Sequence, residues 1–162
     1  MSKVNTLSEL VPAIEKAFNE DNQVLIEEYI KGRELTMGAY KLQNKIITLP
    51  PTEIISKNAF FDYEAKYTTG VTDEITPAEI DNELLTLMQR KTTAIYNALN
   101  CSGLVRMDFI YDAEKKALYF LEVNTMPGQS ENSLIPQQVR AAGMNLKDFY
   151  GAMVEEVFHN KG

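Results

Sequence analysis

The sequence predicts an α+β domain, a mostly antiparallel sheet with flanking helices. Two observations carry this. Its periodic segments run helix, three strands, long loop, helix, strand hairpin, helix, helix. Strands and helices are therefore grouped rather than strictly alternating. Two strand-like runs also flank residues 112–116, a connection that suits an antiparallel hairpin. With 162 residues, 44% hydrophobic and 24% charged, the chain can bury a core without a disulfide or metal. Its single cysteine, Cys101, excludes an internal disulfide and suits a reducing, cytoplasmic compartment. A net charge of −7 argues against nucleic acid and anionic membranes as partners. No apolar run approaches the roughly 20 residues of a membrane span. Residues 1–5 lack the apolar region of a signal peptide.

From Ser8 to Asn19, the residues Leu10, Val11, Ile14 and Phe18 fall on one helical stripe. Thr6 or Ser8 is placed to cap that helix, with Pro12 close to its first turn. Gln23–Tyr29 reads as a strand, as do Leu35–Lys41 and Ile46–Leu49, the last two joined by a tight turn at Gln43-Asn44. Periodicity fades from Pro50 to Thr76, which reads as a long loop, functional or disordered. Thr76-Pro77-Ala78-Glu79 has the form of a capping box with proline at the first helical position. The helix it opens keeps its period through Ile80, Leu84, Leu87, Met88, Ile95 and Leu99 and ends by Asn100, before Gly103. Leu104–Tyr111 and Ala117–Val123 are the hairpin strands. Pro136–Ala142 reads as a short helix stopped by Gly143. Asn145 then caps a last helix with Leu146, Phe149, Tyr150, Met153 and Val157 on its apolar side.

Side chains two apart on a strand share a face. Arg106 and Asp108 therefore share one, as do Glu122 and Asn124, while Met107, Phe109, Leu121 and Val123 point the other way. If the register aligns the faces, one sheet surface presents an arginine, two carboxylates and a carboxamide. Oxygen ligands of this kind suit Mg²⁺, which is often held by one or two carboxylates plus substrate phosphates. The arginine suits a phosphate. An ordinary solvated sheet face would show the same alternation.

The segment Glu122-Val123-Asn124-Thr125-Met126-Pro127-Gly128 resembles the signature of the ATP-grasp ligases. Its continuation, Gln129 to Pro136 with Ser133-Leu134 before Ile135-Pro136, is similar to the substrate loop of the D-alanine–D-alanine ligases. Three more segments agree in order. Ile26–Glu34 is similar to the family's adenine-side strand and turn. Asp62-Tyr63-Glu64-Ala65-Lys66-Tyr67 resembles its mobile loop over ATP and substrate. Gly103–Asp108 is similar to its catalytic strand.

The resemblance implies the carboxy-terminal ATP-grasp catalytic domain over 31–162, with 1–30 a remnant of the central subdomain. Ser2-Lys3-Val4 resembles the residues that follow the family's phosphate loop. The chain is thus expected to be a carboxy-terminal fragment, without that loop or the amino-terminal domain, and inactive alone. The implied reaction joins two D-alanines through a D-alanyl phosphate, using ATP and two Mg²⁺ ions, with Mn²⁺ able to substitute. The product, D-alanyl-D-alanine, serves peptidoglycan synthesis in the cytoplasm, and the implied parent is a homodimer.

By the same resemblance, Glu27, Glu28 and Ile30 match the adenine side, although many relatives carry lysine where Glu28 stands. Glu34 matches the acid on the ribose hydroxyls. Lys66 matches the lysine at the γ-phosphate, and Tyr67 a residue that orients substrate. Relatives forming ester-linked products often carry histidine at that position, so Tyr67 favours an amide. Tyr63 matches loop packing or phosphate contact. Arg106 matches the arginine on the oxyanion of the tetrahedral intermediate, and Asp108, Glu122 and Asn124 match the Mg²⁺ ligands, Glu122 bridging both ions. Gly128 matches a backbone N–H near the substrate. Ser133 and Leu134 match the pair that holds the second substrate's carboxylate. Two alternatives stay open: a non-catalytic nucleotide- and Mg²⁺-binding module, and an ATP-grasp ligase with other substrates. His159, the sole histidine, Cys101, the Phe60-Phe61 pair and Arg90-Lys91 read as structural or exposed positions.

Overall fold

Ten residues, Arg33–Leu42, make the longest strand, β1, and the sheet is built on it. In the computed structural model, which describes residues 1–56 and 72–159, the other strands are β2 (Lys45–Thr48), β3 (Thr52–Ser56), β4 (Thr72–Ile75), β5 (Leu104–Asp112) and β6 (Ala117–Asn124). The helices are α1 (Leu7–Phe18), α2 (Asn82–Ala98), α3 (Leu134–Ala141) and α4 (Leu146–His159). The strands form one sheet in the order β4-β3-β1-β5-β6, with β2 also on β1. The pairs β1–β2, β1–β3, β1–β5 and β5–β6 are antiparallel, as the order of elements predicted. β2 takes Ala39–Leu42 and β3 takes Glu34–Thr36 along one edge of β1, while β5 runs along the other from Arg33 to Tyr40. Gln43 and Asn44 turn the chain between β1 and β2 with φ of 48° and 62°. Asparagine tolerates that left-handed region better than most residues, and two such positions make the tight hairpin turn the sequence predicts.

The chain divides into two units, residues 1–30 with 56–73, and 31–55 with 74–162. In the first, α1 follows Thr6, whose hydroxyl meets Ser8 Oγ at 3.0 Å rather than capping a backbone N–H. Pro12 lies inside the helix rather than in its first turn, where its missing N–H leaves the Ser8 carbonyl without a helical donor. Gln23–Tyr29 does not form the expected strand. A strand is held by a ladder partner, and no described residue pairs with this segment, whose Leu25, Ile26 and Tyr29 are exposed.

In the second unit the sheet carries two cores, one on each face. Leu35, Met37 and Ala39 of β1 and Val105, Met107 and Phe109 of β5 alternate onto the face covered by α2, where they meet Leu84, Met88 and Tyr96. Tyr40 and Leu49 lie on the opposite face with Ile135 and Val139 of α3 and Phe149 of α4. α3 sits close because β1 carries Gly38 there. A Cβ at Gly38 would come within 2.7 Å of Ile135 Cδ1 and 2.8 Å of both Leu49 Cδ1 and Gln138 Oε1. Asn145 caps α4, its side-chain oxygen accepting from the backbone N–H of Lys147 at 2.9 Å.

α2 begins later than the sequence suggested. Asp81 is its cap, accepting from the Leu84 N–H at 2.8 Å. Thr76 does not serve, because its hydroxyl is taken by Thr52 at 2.6 Å and Gln137 at 3.3 Å. The expected loop from Pro50 to Thr76 is strand at both ends, β3 and β4. Each is only four or five residues long, too short for an alternation signal, and sheet neighbours decide the outcome. A β-bulge at Asp108/Phe109 sets Asp108 opposite Glu122 but Phe109 opposite Phe120. Leu121 is the extra residue, so it leaves the core face expected for it and stands exposed.

Tyr96 is buried, and its hydroxyl donates to the Gly103 carbonyl at 2.7 Å. Burial first, and nearby Cys101 second, push its phenol up to about 12. Folding therefore favours the neutral phenol, and the unfolded chain ionises earlier, near pH 10. The stability this group contributes is intact below about pH 10 and is lost as pH rises towards about 12. Urea midpoints should fall across that window, and Tyr96→Phe should flatten the fall.

Candidate active site

The second face of the sheet is only partly covered by α3 and α4, and on its open part the hairpin presents its polar residues. The register sets Arg106 opposite Asn124 and Asp108 opposite Glu122, so the four side chains share this face as their spacing predicted. Across β1, Thr36 lies opposite Asp108 and Gly38 opposite Arg106. Glu34 falls on the same face by alternation, opposite Ile110 and Ile54.

Arg106 grips Asp108 in a fork, Nε donating to Oδ1 at 3.0 Å and Nη2 to Oδ2 at 2.9 Å. The Thr36 hydroxyl donates to the same Oδ1 at 2.5 Å. Burial by itself would lower the Arg106 pKa. Asp108, then Glu122 and Glu74, outweigh it and hold the guanidinium above its ordinary value. The group therefore stays charged throughout the useful pH range, and its Nη1 takes no partner among the described residues. The Asn124 oxygen accepts from the Met126 N–H at 3.0 Å, a local turn that fixes the carboxamide at the strand end.

The next loop brings Gly128 to Ser133. A Cβ on Gly128 would lie 2.9 Å from Ser133 Oγ, so a side chain there would have to push the serine hydroxyl aside. Ser133 precedes α3 but does not cap it with its side chain; its hydroxyl meets Ser130 Oγ at 2.7 Å. Leu134 opens the helix. The loop is tied at three points. Tyr150 donates to Gln129 at 2.7 Å, Arg140 to the Glu131 carbonyl at 2.7 Å, and Gln137 to the Asn132 carbonyl at 2.9 Å. Gln137 also reaches Glu74 of β4 at 2.6 Å.

Glu27, Glu28 and Ile30 belong to the first unit, in a segment without regular structure. Lys66, Tyr67 and Tyr63 lie outside the described residues. The sequence reading missed Thr36, Glu74 and Gln138. Thr36 left a trace, a polar residue within the apolar run Leu35 to Tyr40. Gln138 left another, sharing a helical face with Ile135 and Val139.

No cluster of three or more histidine, cysteine, aspartate or glutamate side chains among the described residues could hold a metal. Asp108 and Glu122 would need the Asn124 carbonyl oxygen to complete the protein's share. Two carboxylates and one neutral oxygen fit Mg²⁺, which keeps waters and ligand phosphates as further partners. No helix among the described residues is long and apolar enough to cross a membrane.

The family described as D-ala D-ala ligase C-terminus matches residues 1–155. The chain belongs to this family. A D-alanine–D-alanine ligase of Azobacteroides pseudotrichonymphae genomovar. CFP2 is 48% identical over 157 residues, covering 97% of this chain and 48% of its own length. Two solved structures share 34% identity over 98% of the chain: the VanG D-Ala:D-Ser ligase of Enterococcus faecalis (TM-score 0.79, 44% of its chain) and a D-alanine–D-alanine ligase of Bacillus anthracis complexed with ATP (TM-score 0.76, 51% of its chain). The chain spans about half the length of the curated relatives it matches. With these members of the D-ala D-ala ligase C-terminus family the chain shares sequence and fold.

Proposed function

We propose that this chain is the catalytic part of a cytoplasmic, homodimeric, ATP-dependent ligase that joins two D-alanines into D-alanyl-D-alanine for peptidoglycan. Residues 31–162 are its carboxy-terminal ATP-grasp domain, and 1–30 belong to its central subdomain. The observation that carries this reading is the register of the hairpin, which puts Asp108 opposite Glu122 and Arg106 opposite Asn124.

Asp108, Glu122 and Asn124 hold the Mg²⁺ ions, which offset charge on the nucleotide phosphates when bound. Glu34 takes the ribose hydroxyls, and Glu27, Glu28 and Ile30 the adenine side. The carboxylate of the first D-alanine attacks the γ-phosphorus and ADP leaves, giving D-alanyl phosphate. Lys66 balances charge on the transferred group. The second amine attacks the acyl carbon, loses a proton, and phosphate departs. Arg106 stabilises the oxyanion of that step, and the Gly128 N–H approaches the substrate. Ser133 and the Leu134 N–H, at the start of α3, orient the second substrate's carboxylate, and Tyr67 is the residue assigned to orienting substrate. D-Serine as the second substrate is the other reading, favoured by the likeness to a D-Ala:D-Ser ligase. A product assay with both amino acids on the whole ligase separates the two.

The direct test is calorimetric titration of the chain with ATP, with and without Mg²⁺, beside a Glu122→Ala, Asn124→Ala double variant. Binding should require Mg²⁺ and vanish in the variant. Metal-independent binding that survives in the variant would move the nucleotide off the hairpin face.

A further inference from the structure

Thr36 is 2% exposed, and its surroundings fix it from two sides. Its carbonyl accepts from Gln138 Nε2 at 3.1 Å. Its hydroxyl lies 2.5 Å from Asp108 Oδ1 and 3.3 Å from the Met107 carbonyl. A hydroxyl has one proton to donate, and the carboxylate is both the nearer and the stronger acceptor.

An ionised carboxylate oxygen accepts about two donors. Oδ1 of Asp108 already takes two, Thr36 Oγ1 and Arg106 Nε. Oδ2 takes one, Arg106 Nη2, so among the described residues it alone keeps an open lone pair. Arg106 by itself does not impose this asymmetry, since it gives one N–H to each oxygen. The threonine does.

We propose that Thr36 is a positioning residue that occupies Asp108 Oδ1 and so makes Asp108 a one-oxygen ligand through Oδ2. This rests on the reading of Asp108, Glu122 and Asn124 as the metal site. Its consequence is selectivity among divalent cations. Mg²⁺ demands compact, near-octahedral coordination, whereas Ca²⁺ accepts carboxylates through both oxygens. A carboxylate with one oxygen filled suits the smaller ion.

The test is Mn²⁺ binding to this chain with ADP, read as loss of the free-ion signal in electron paramagnetic resonance, then competed with Mg²⁺ and with Ca²⁺. Thr36→Val keeps the shape and removes the hydroxyl. It should weaken Mn²⁺ binding by about 10-fold or more and shift the competition in favour of Ca²⁺. Thr36→Ser should restore both, and Thr36→Cys, with a weak donor, stands in if the valine variant does not fold. Thr36→Val binding and discriminating like the unsubstituted chain would overturn the role of Thr36 alone. So would valine and serine variants that weaken together with the Ca²⁺-to-Mg²⁺ ratio unchanged, which is the mark of packing only. An unsubstituted chain that takes up no Mn²⁺ would overturn the metal-site reading itself, and this inference with it.

Discussion

With the proposed oxyanion role, replacing Arg106 with alanine in the full-length protein should lower kcat for D-alanine ligation by about 10²- to 10³-fold, the usual effect of removing one oxyanion donor. The side chain suits that role because it is already aimed and charged. Asp108 takes Nε and Nη2, which fixes the guanidinium plane, and Nη1 takes no partner among the described residues. Arg106→Lys should recover little, since an ammonium cannot hold the fork and present a second donor at once. Steady-state rates with saturating ATP and D-alanine decide the matter, and an alanine variant within a few-fold of the parent would remove Arg106 from the chemistry.

Gln138→Leu should cost about 2–5 kcal/mol of stability, measured by urea unfolding of the chain. The substitution keeps the volume and removes the polar contacts. Gln138 is fully buried; it accepts from the Gly38 N–H at 2.8 Å and donates to the Thr36 carbonyl and Thr52 hydroxyl, both at 3.1 Å. Leucine would leave the two backbone groups buried without this partner. Thr52 would fare better, because Thr76 still reaches its hydroxyl. The change is large against a total stability of about 5–15 kcal/mol for a typical domain. Unfolding midpoints that scarcely move would mean that water or a neighbour replaces the amide.

What the sequence made legible was periodic or local. Arg106, Asp108, Glu122 and Asn124 could be put on one face because alternation in a short hairpin fixes direction once the turn is known. Asn145 could be named as a cap because its bond spans two residues. The failures share a different cause. Alternation alone turns Leu121 away from the polar face, because nothing in the residue types announces a bulge. Thr76 has the residue type of a cap, but its hydroxyl is spent on Thr52, 24 residues away. Gln23–Tyr29 has strand composition, but composition supplies no ladder partner. Thr36 and Gln138 act through contacts more than 70 residues away, which no local pattern encodes.

The pairing of β1 with β5 has a kinetic consequence. The β5–β6 hairpin closes through a short turn, so its own register forms cheaply. Thr36 meets Asp108 across 72 residues, so that contact waits on the closure of a long loop and on the order of everything within it. Half of the polar cluster is thus assembled early and carried on the hairpin, and the other half arrives with the central strand. Substitutions in α2 or the β1–β2 turn, far from any reacting atom, would then act on how fast the site comes into being rather than on what it does once formed.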